Sequence, residues 1–460
     1  MASIDTAATV PAAAPSRRDL FLQGPILPTL LRIAWPNSLM LMAQAAAGLV
    51  EAWWLSHLGT DALAGMAVVF PLVMLMQMMS AGAMGGGITS AIARALGAGR
   101  QADADALVLH ALLVSLAMGA AFGAVMLGFG PAIYAALGAQ GAGLQAALAY
   151  SDMVFGGIVL LWLMNGLASV IRGTGNMLVP ALVVCGGALL LVPVSPLLIF
   201  GLGPLPGFGP AGAGAAMLLY FLGCAAVLGW YLLSGRNPAR LQPVRLQRRL
   251  LAQILRVGLL ASVSSVQTNL TVVAATALVG GSFGAAAVAG YGIAARLEYL
   301  LIPLVFGIGG TLVAMVGMNI GAGQGRRALR IALAGGLAAC LVAEAVGLAA
   351  ATWPEAWLRL FSDDPDMLAA GAAYMRNVGP FYGLFGLGFA LYFACQGAGR
   401  LGWPLLAGFL RLAAVAGGGW LALALTGSLT WLFLSIGAGM AAYGLTILAT
   451  TPALMRAASR

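Results

Sequence analysis

The chain contains about twelve long apolar segments, separated by short polar or Gly/Pro-rich breaks. A membrane-spanning helix needs about 20 apolar residues, whereas a barrel strand would show about ten residues of alternating polarity. The segment from Leu112 to Phe129 does not alternate and is almost entirely apolar. Only 8% of the residues are charged, against about a quarter in soluble domains. The sequence therefore predicts an all-α integral membrane protein.

The breaks between apolar segments set the predicted helix positions. We expect twelve transmembrane helices near residues 27–57, 61–95, 103–128, 143–172, 177–200, 209–233, 250–280, 284–319, 326–351, 366–397, 402–427 and 429–456.

The net charge of +9 comes from arginines that lie mainly in alternate loops, among them Arg17, Arg18, Arg94 and Arg100. Basic residues concentrate on the cytoplasmic side of a membrane. This pattern predicts a multi-pass protein of the cytoplasmic (inner) membrane with both termini and the even-numbered loops in the cytoplasm. The arginines thus report orientation in a lipid bilayer, and we expect no nucleic-acid partner.

The two halves of the chain repeat at a constant spacing. Arg32 is echoed by Arg256 (256 − 32 = 224), and the Gly-Ala-Gly run at 97–99 by the run at 321–323 (321 − 97 = 224). Six helices in each half preserve orientation, so the repeats are parallel, as in carriers that expose a central cavity to each side in turn. We expect a disordered cytoplasmic N-terminus (1–24), two pseudo-symmetric six-helix bundles (25–233 and 250–456) and a cytoplasmic linker (234–249).

Glu51 is the only ionisable side chain between Asn37 and Leu55 in the first predicted helix. An acidic residue at a helix centre costs roughly 2.5 to 3.5 kcal/mol in insertion scales, so it is tolerated with a proton, a cation or a polar partner. Such a carboxylate can exchange a proton for a cationic substrate. The alternative is a glutamate near the outer end of the helix that reaches water and has no role.

Other polar residues within predicted helices are candidate partners. Asn165 on helix four could donate a hydrogen bond to Glu51 and take part in ion coupling, or serve as a helix–helix contact. In the second half, Arg296 and Glu298 are two residues apart and point to different sides of helix eight. We expect them to form a polar network with Gln267 or Asn269 of helix seven.

Arg411 lies inside helix eleven and must have a counter-charge or line water. A substrate cavity is expected to draw on aromatic and methionine side chains that adapt to varied apolar ligands: Trp54, Phe70, Met74, Met78, Tyr291 and Tyr382. The four cysteines are scattered singly and the two histidines are isolated. We therefore expect no metal site, no catalytic residues and no cofactor.

Several motifs resemble the multidrug and toxic compound extrusion (MATE) transporters over nearly the whole chain from Pro25 onward. The most specific are RGTGN (172–176), PLLIFG (196–201), YGIAARLE (291–298) and VGMNIGAG (316–323). The resemblance implies a secondary active transporter that exports small amphipathic, often cationic compounds, and we expect the protein to function as a monomer. It also implies that inward movement of protons or sodium drives export.

Two departures from the family pattern bear on the coupling ion. Where many members carry an Asn and an Asp on helix five, this chain has Leu191 and Ser195. Where sodium-coupled members place carboxylates on helices seven and ten, it has Gln267 or Thr268 and an apolar residue near Phe385. A proton is therefore the expected coupling ion, with Na⁺ as the alternative.

Two other functions remain open from the sequence. A lipid-linked oligosaccharide or lipid flippase of the same superfamily should have an arginine-rich cavity and often two further helices. An integral-membrane enzyme, such as an acyltransferase, should show a His/Asp pair at the membrane interface.

Overall fold

The computed structural model describes residues 17–202 and 205–459, and nearly all of them are helical. In chain order, the first half contains α1 (Arg17–Gln23), α2 (Ile26–Ser56), α3 (Thr60–Gln77), a π-helical segment (Met78–Met84), α4 (Gly85–Gly97), α5 (Gln101–Ala136), α6 (Gly141–Gly156), α7 (Val159–Gly173), α8 (Leu178–Phe200), β1 (Gly201–Leu202), β2 (Leu205–Pro206) and α9 (Pro210–Leu233). The two short strands pair antiparallel between α8 and α9.

The second half begins with the longest helix. It contains α10 (Arg248–Gly321), α11 (Gly325–Thr352), α12 (Pro354–Leu358), α13 (Pro365–Val378), a 3₁₀ turn (Gly379–Phe381), α14 (Tyr382–Gly397), α15 (Gly402–Ala413), a second π-helical segment (Ala414–Gly418), α16 (Gly419–Thr426) and α17 (Leu429–Ala458).

The described residues form twelve apolar spans, which confirms the predicted number. Ten helical runs, α10 included, are long and apolar enough to cross a membrane, and α6 with α7, bent by 46°, form another. The 74 residues of α10 are far more than the roughly 20 that cross a hydrocarbon core about 30 Å thick. This helix breaks at Gly284, whose φ of 80° is non-helical, so α10 counts as two spans.

The prediction of a disordered N-terminus is wrong for residues 17–23, which form α1; residues 1–16 lie outside the described part of the chain. Phe21 is fully buried, and its carbonyl oxygen accepts a hydrogen bond of 3.0 Å from the Asn319 side chain. The Arg327 guanidinium also donates to the carbonyl oxygens of Phe21 and Gly24. These long-range contacts order a segment whose local composition suggested disorder.

The segment between α9 and α10 contains no helix from 234 to 247 and is tied to the start of α5. The Asp105 carboxylate accepts a hydrogen bond of 2.8 Å from the backbone N–H of Arg240. Nε2 of the buried His110 accepts one of 2.9 Å from the backbone N–H of Gln247.

The sequence repeat reappears as reciprocal packing between the two halves. A Cβ atom on Gly97 would collide with the carbonyl of Met318, and a Cβ atom on Gly321 would collide with the carbonyl of Arg94. Both members of one contact are related to the other by the same spacing (97 + 224 = 321 and 94 + 224 = 318). The halves therefore meet across a local pseudo-two-fold axis at which only glycine permits the close approach.

We call the ends of the spans near Arg94, Arg100, Arg326 and Arg327 the basic end of the molecule.

Hydrogen bonds between the bundles cluster in the half of the spans nearer the basic end. The Asn37 side chain donates to the carbonyl oxygens of Phe306 and Gly307, each at 3.3 Å. The Ser90 hydroxyl donates to the carbonyl oxygens of Gln396 and Gly397 at 2.7 and 3.0 Å. The bundles are thus joined at the basic end.

Candidate functional site

Glu51 is buried in the first bundle, so the alternative of a side chain that reaches water is wrong. The residue lies in the last two turns of α2 and is 1% exposed. Neither carboxyl oxygen has a hydrogen-bond partner among the described residues. The Ser195 hydroxyl of α8 lies close to the carboxyl group, and the Tyr150 hydroxyl of α6 interacts with it electrostatically.

Ser195, the residue of α8 close to Glu51, lies in a proline-containing part of that helix. Ser195 is fully buried and lies between Pro193 and Pro196, both inside the helix. A proline within a helix has no N–H to donate and leaves the carbonyl four residues earlier without its usual partner. The backbone of α8 near Ser195 therefore lacks part of the usual helical hydrogen bonding. A buried carboxylate without donors is unstable as an anion, so the site favours a bound proton or a cation.

The predicted hydrogen bond between Asn165 and Glu51 is wrong. The buried Asn165 amide on α7 instead donates to the Ser80 hydroxyl at 2.8 Å and to the Gln77 side chain at 3.5 Å. Ser80 belongs to the π-helical segment, which turns its hydroxyl towards α7. Asn165 thus ties two helices of the first bundle together, and the structure does not bring it to the carboxyl group.

The predicted network of Gln267, Asn269, Arg296 and Glu298 does not form. Asn269 is exposed on α10 and donates to the carbonyl oxygen of Ser265 on its own helix, at 2.9 Å. Arg296 is also exposed. Both side chains therefore lie on the outer surface of α10, whereas Gln267 and Leu297, close to them in sequence, are buried. The buried Gln267 amide donates to the carbonyl oxygen of Leu405 at 3.3 Å.

Glu298 has different partners from those predicted. It accepts a hydrogen bond from the Tyr374 hydroxyl of α13, and the Tyr382 hydroxyl and the Arg411 guanidinium lie nearby. Sequence reasoning missed this cluster because its members come from four helices, α10, α13, α14 and α15. The available signal was the charged residues Glu298 and Arg411 within two of these spans.

Arg411 lies on the wall of a cavity, as expected of an arginine within a span. The side chain is 7% exposed, and its guanidinium carbon lies 4.5 Å from the centre of the Phe385 ring. The cavity has a volume of about 90 Å³ and lies where the π-helical segment of the first bundle meets α10, α14, α15 and α17. Its other polar lining residues are Ser264, Ser265, Gln267, Thr268, Thr271, Tyr392 and Tyr443.

Of the six residues predicted for the substrate cavity, only Met78 lines this cavity of the described structure. Tyr291 and Tyr382 are buried in the outer core of the second bundle, where the Tyr291 and Tyr374 ring centres are 5.1 Å apart. Trp54 packs against Phe200 with ring centres 6.1 Å apart.

Phe70 and Met74 of α3 are partly buried. The sequence did contain a signal for this cavity. Gln267 and Thr268, which stand where sodium-coupled members have a carboxylate on helix seven, both line it.

The comparisons with known proteins identify the family. The family model described as MatE matches residues 36–197 and 261–421, one match in each half of the chain. A relative from Shewanella oneidensis, named "FAD transporter", is 28% identical over 375 residues, which are 80% of this chain and 82% of the relative. A relative from Thermotoga maritima, "Probable multidrug resistance protein NorM", is 24% identical over 394 residues, 83% of this chain and 82% of the relative.

Solved structures share the fold. A MATE structure in a bent conformation superposes with a TM-score of 0.89 at 23% identity and covers 97% of this chain and 100% of its own. An outward-facing multidrug resistance MATE transporter superposes with a TM-score of 0.87 at 22% identity, covering 97% of this chain and 99% of its own. With the matches in both halves, these findings show that the chain belongs to the MatE family of multidrug and toxic compound extrusion transporters.

Proposed function

We propose that this transporter exports small amphipathic organic compounds across the cytoplasmic membrane in exchange for protons bound at Glu51. The observation that carries the proposal is the burial of this carboxyl group, whose oxygens have no hydrogen-bond partner among the described residues. Relatives named as multidrug resistance proteins, including PmpM of Pseudomonas aeruginosa at 27% identity over 84% of this chain, support the choice of cargo.

The proposed exchange follows from competition at one carboxylate. The ionised Glu51 attracts a proton or a cationic compound, and either one removes the cost of the buried charge. Binding of a proton releases the cation, and loss of the proton permits the next one to bind. The replacement of the carboxylates that sodium-coupled members place on helices seven and ten, here by Gln267 or Thr268 and an apolar residue near Phe385, supports a proton over Na⁺.

The sidedness of the proposal rests on charge. By the positive-inside rule, the basic end faces the cytoplasm, and both termini lie on that side. Since the hydrogen bonds between bundles cluster at this end, the structure corresponds to a carrier closed to the cytoplasm. We propose that a single chain acts as a monomer, because each chain contains both bundles.

A second candidate is the export of anionic aromatic compounds. FAD, the compound in the name of the S. oneidensis relative, combines aromatic rings with negatively charged phosphates. Arg411 in the cavity wall is a cation that suits such a ligand.

The test is efflux of a fluorescent organic cation in everted vesicles, with a proton gradient and a sodium gradient imposed separately. We expect the proton gradient alone to drive efflux by the parent protein and to have no effect with Glu51→Gln. Glu344→Gln is the matched control, since this acid also lies in a span but has the backbone N–H of Gly383 as a donor at 2.7 Å. Efflux driven by sodium alone, or full activity of Glu51→Gln, would contradict the proposal.

A further inference from the structure

Arg411 is a buried cation without a bound counter-charge among the described residues. No ion pair includes it, and its Nε atom has no acceptor. One face of the guanidinium stacks on Phe385. Arginine within a membrane span is costly and normally pairs or faces a polar cavity, and here the side chain lines the cavity between the bundles.

Glu298 interacts electrostatically with Arg411 but forms no ion pair with it. It interacts with Arg411 at a distance and accepts a hydrogen bond from Tyr374 instead. Glu298 is also absent from the cavity lining. A ligand in the cavity can therefore contact the Arg411 guanidinium, whereas the Glu298 carboxylate lies outside the cavity lining and partly offsets the positive charge of Arg411.

The remaining cavity wall can satisfy an anion on one side and an aromatic ring on the other. The Ser264 and Thr268 hydroxyls donate to carbonyl oxygens of their own helix at 3.4 and 3.0 Å, and they can rotate towards a ligand. Phe306 and Phe389 form the apolar wall, with ring centres 5.0 Å apart. No acidic side chain lines the cavity among the described residues.

The size of the cavity limits the ligand. One water molecule needs about 10–15 Å³ of cavity volume, so a cavity of 90 Å³ holds roughly six to nine waters. This is the space of one or two fused rings that carry a small charged group.

From these contacts we propose that the cavity beside Arg411 binds a small aromatic carboxylate, with the carboxylate paired to the guanidinium and the ring packed against Phe306 and Phe389. Arginine presents two parallel N–H donors that match a carboxylate. The inference rests on the proposed function only in treating this ligand as cargo, because binding itself requires no ion gradient.

The first test uses the unmodified protein in lipid nanodiscs without any gradient. Binding of 2-naphthoate, 2-naphthalenemethanol and 2-naphthylmethylammonium is measured by calorimetry, so that charge alone differs at one ring system. We expect 2-naphthoate to bind about tenfold or more tightly than the neutral alcohol, and the cation to bind most weakly. Equal or tighter binding of the cation would overturn the proposal.

The second test locates the site. Arg411→Met should reduce 2-naphthoate binding about tenfold or more and leave the alcohol unchanged, whereas Arg411→Lys should keep part of the preference. Arg376→Met is the matched control, since this arginine lies on α13 of the same bundle and is exposed. Glu298→Gln should strengthen binding of the anion, because the opposing charge is removed.

Unchanged 2-naphthoate binding in Arg411→Met would overturn the proposed site. If that variant does not fold, weaker or unchanged binding in Glu298→Gln would also overturn it. Vesicle efflux of the organic cation is measured in parallel, so failure of proton coupling is recognised separately from failure of anion binding.

Discussion

The two bundles share a scaffold but differ in the charges they bury. Reciprocal contacts of Gly97 and Gly321 across the interface show that backbone packing has been kept in both halves. In the first bundle, the buried carboxyl group of Glu51 has no hydrogen-bond partner among the described residues. In the second, Arg411 faces the cavity with Glu298 behind it.

Neither of the two central charges has a counterpart in the other half. The repeat spacing places Ala275 at the position of Glu51 (51 + 224 = 275) and Gly187 at the position of Arg411 (411 − 224 = 187). Packing at the interface constrains both halves alike, because rocking requires two matching surfaces. Charge is free to follow the ligand that each half binds, and the difference agrees with the proposals of a proton or cation site in one bundle and an anion site in the other.

The largest expected effect is the loss of proton-driven efflux when Glu51, but not the neighbouring Ser195, is replaced. Glu51→Gln should lower proton-driven efflux to the level of vesicles without the transporter, because the amide cannot exchange a proton. Ser195→Ala should retain measurable efflux, since the carboxyl group, and not the hydroxyl near it, carries the exchanged proton. Initial efflux rates at equal protein level give the comparison. Equal losses in the two variants would show that the site is a hydrogen-bonded pair.

The second prediction concerns the shared scaffold. Gly97→Leu and Gly321→Leu should each destabilise the contact at the basic end by about 1–3 kcal/mol, the usual cost of overpacking. Because the contacts are reciprocal, the two variants should behave alike. Labelling of a cysteine introduced at Ser90 would report the opening, since its hydroxyl lies at the interface. A large effect from only one glycine would show that the interface is not pseudo-symmetric.

Much of the fold could be predicted from the sequence because a bilayer permits few alternatives. Span length and the spacing of 224 residues are local or periodic signals, and they were sufficient for twelve helices in two halves. The burial of Glu51 could also be predicted, since its surroundings in sequence are apolar.

Partners of buried polar groups could not be predicted, because they depend on helix rotation. Asn165 turns to Ser80 and Asn269 turns outward, although each lies at a suitable depth. A rotation of about 100° separates adjacent residues on a helix, and sequence alone does not specify which face packs inward. The Glu298–Tyr374 contact also needs α13 to pass beside α10, and no local pattern indicates this.

The third prediction tests whether Glu298 belongs to a structural cluster. Tyr374→Phe should destabilise the protein by about 1 kcal/mol, because a partly buried carboxyl group loses its donor. Thermal unfolding in detergent should show the change as a lower midpoint. A double-mutant cycle with Glu298→Gln is the control, since two groups in contact should give effects that do not add. Additive effects would separate the tyrosine from the acid.

The smallest expected effect is at the polar tie between the bundles outside the hydrocarbon core. The Arg249 guanidinium, at the start of α10, contacts both carboxylate oxygens of Asp103 in α5, at 2.6 and 3.1 Å. Arg249 is half exposed, so Asp103→Asn should destabilise the protein by only about 0.2–1 kcal/mol. Salt screens exposed charges within about 3 Å at 1 M, and the difference between parent and variant in the thermal midpoint should therefore shrink as salt is raised.

Asp363→Asn is the matched control for that experiment. Asp363 pairs with Arg359 at 3.8 Å within the loop of a single bundle, so its loss should leave the accessibility of the interface unchanged. The loss of Asp103 should slightly increase labelling of a cysteine at Ser90, because one of the contacts that hold the bundles together is removed. If both variants leave labelling unchanged at low salt, glycine packing and buried hydrogen bonds alone keep the basic end closed, and the charges near it serve only to orient the chain in the membrane.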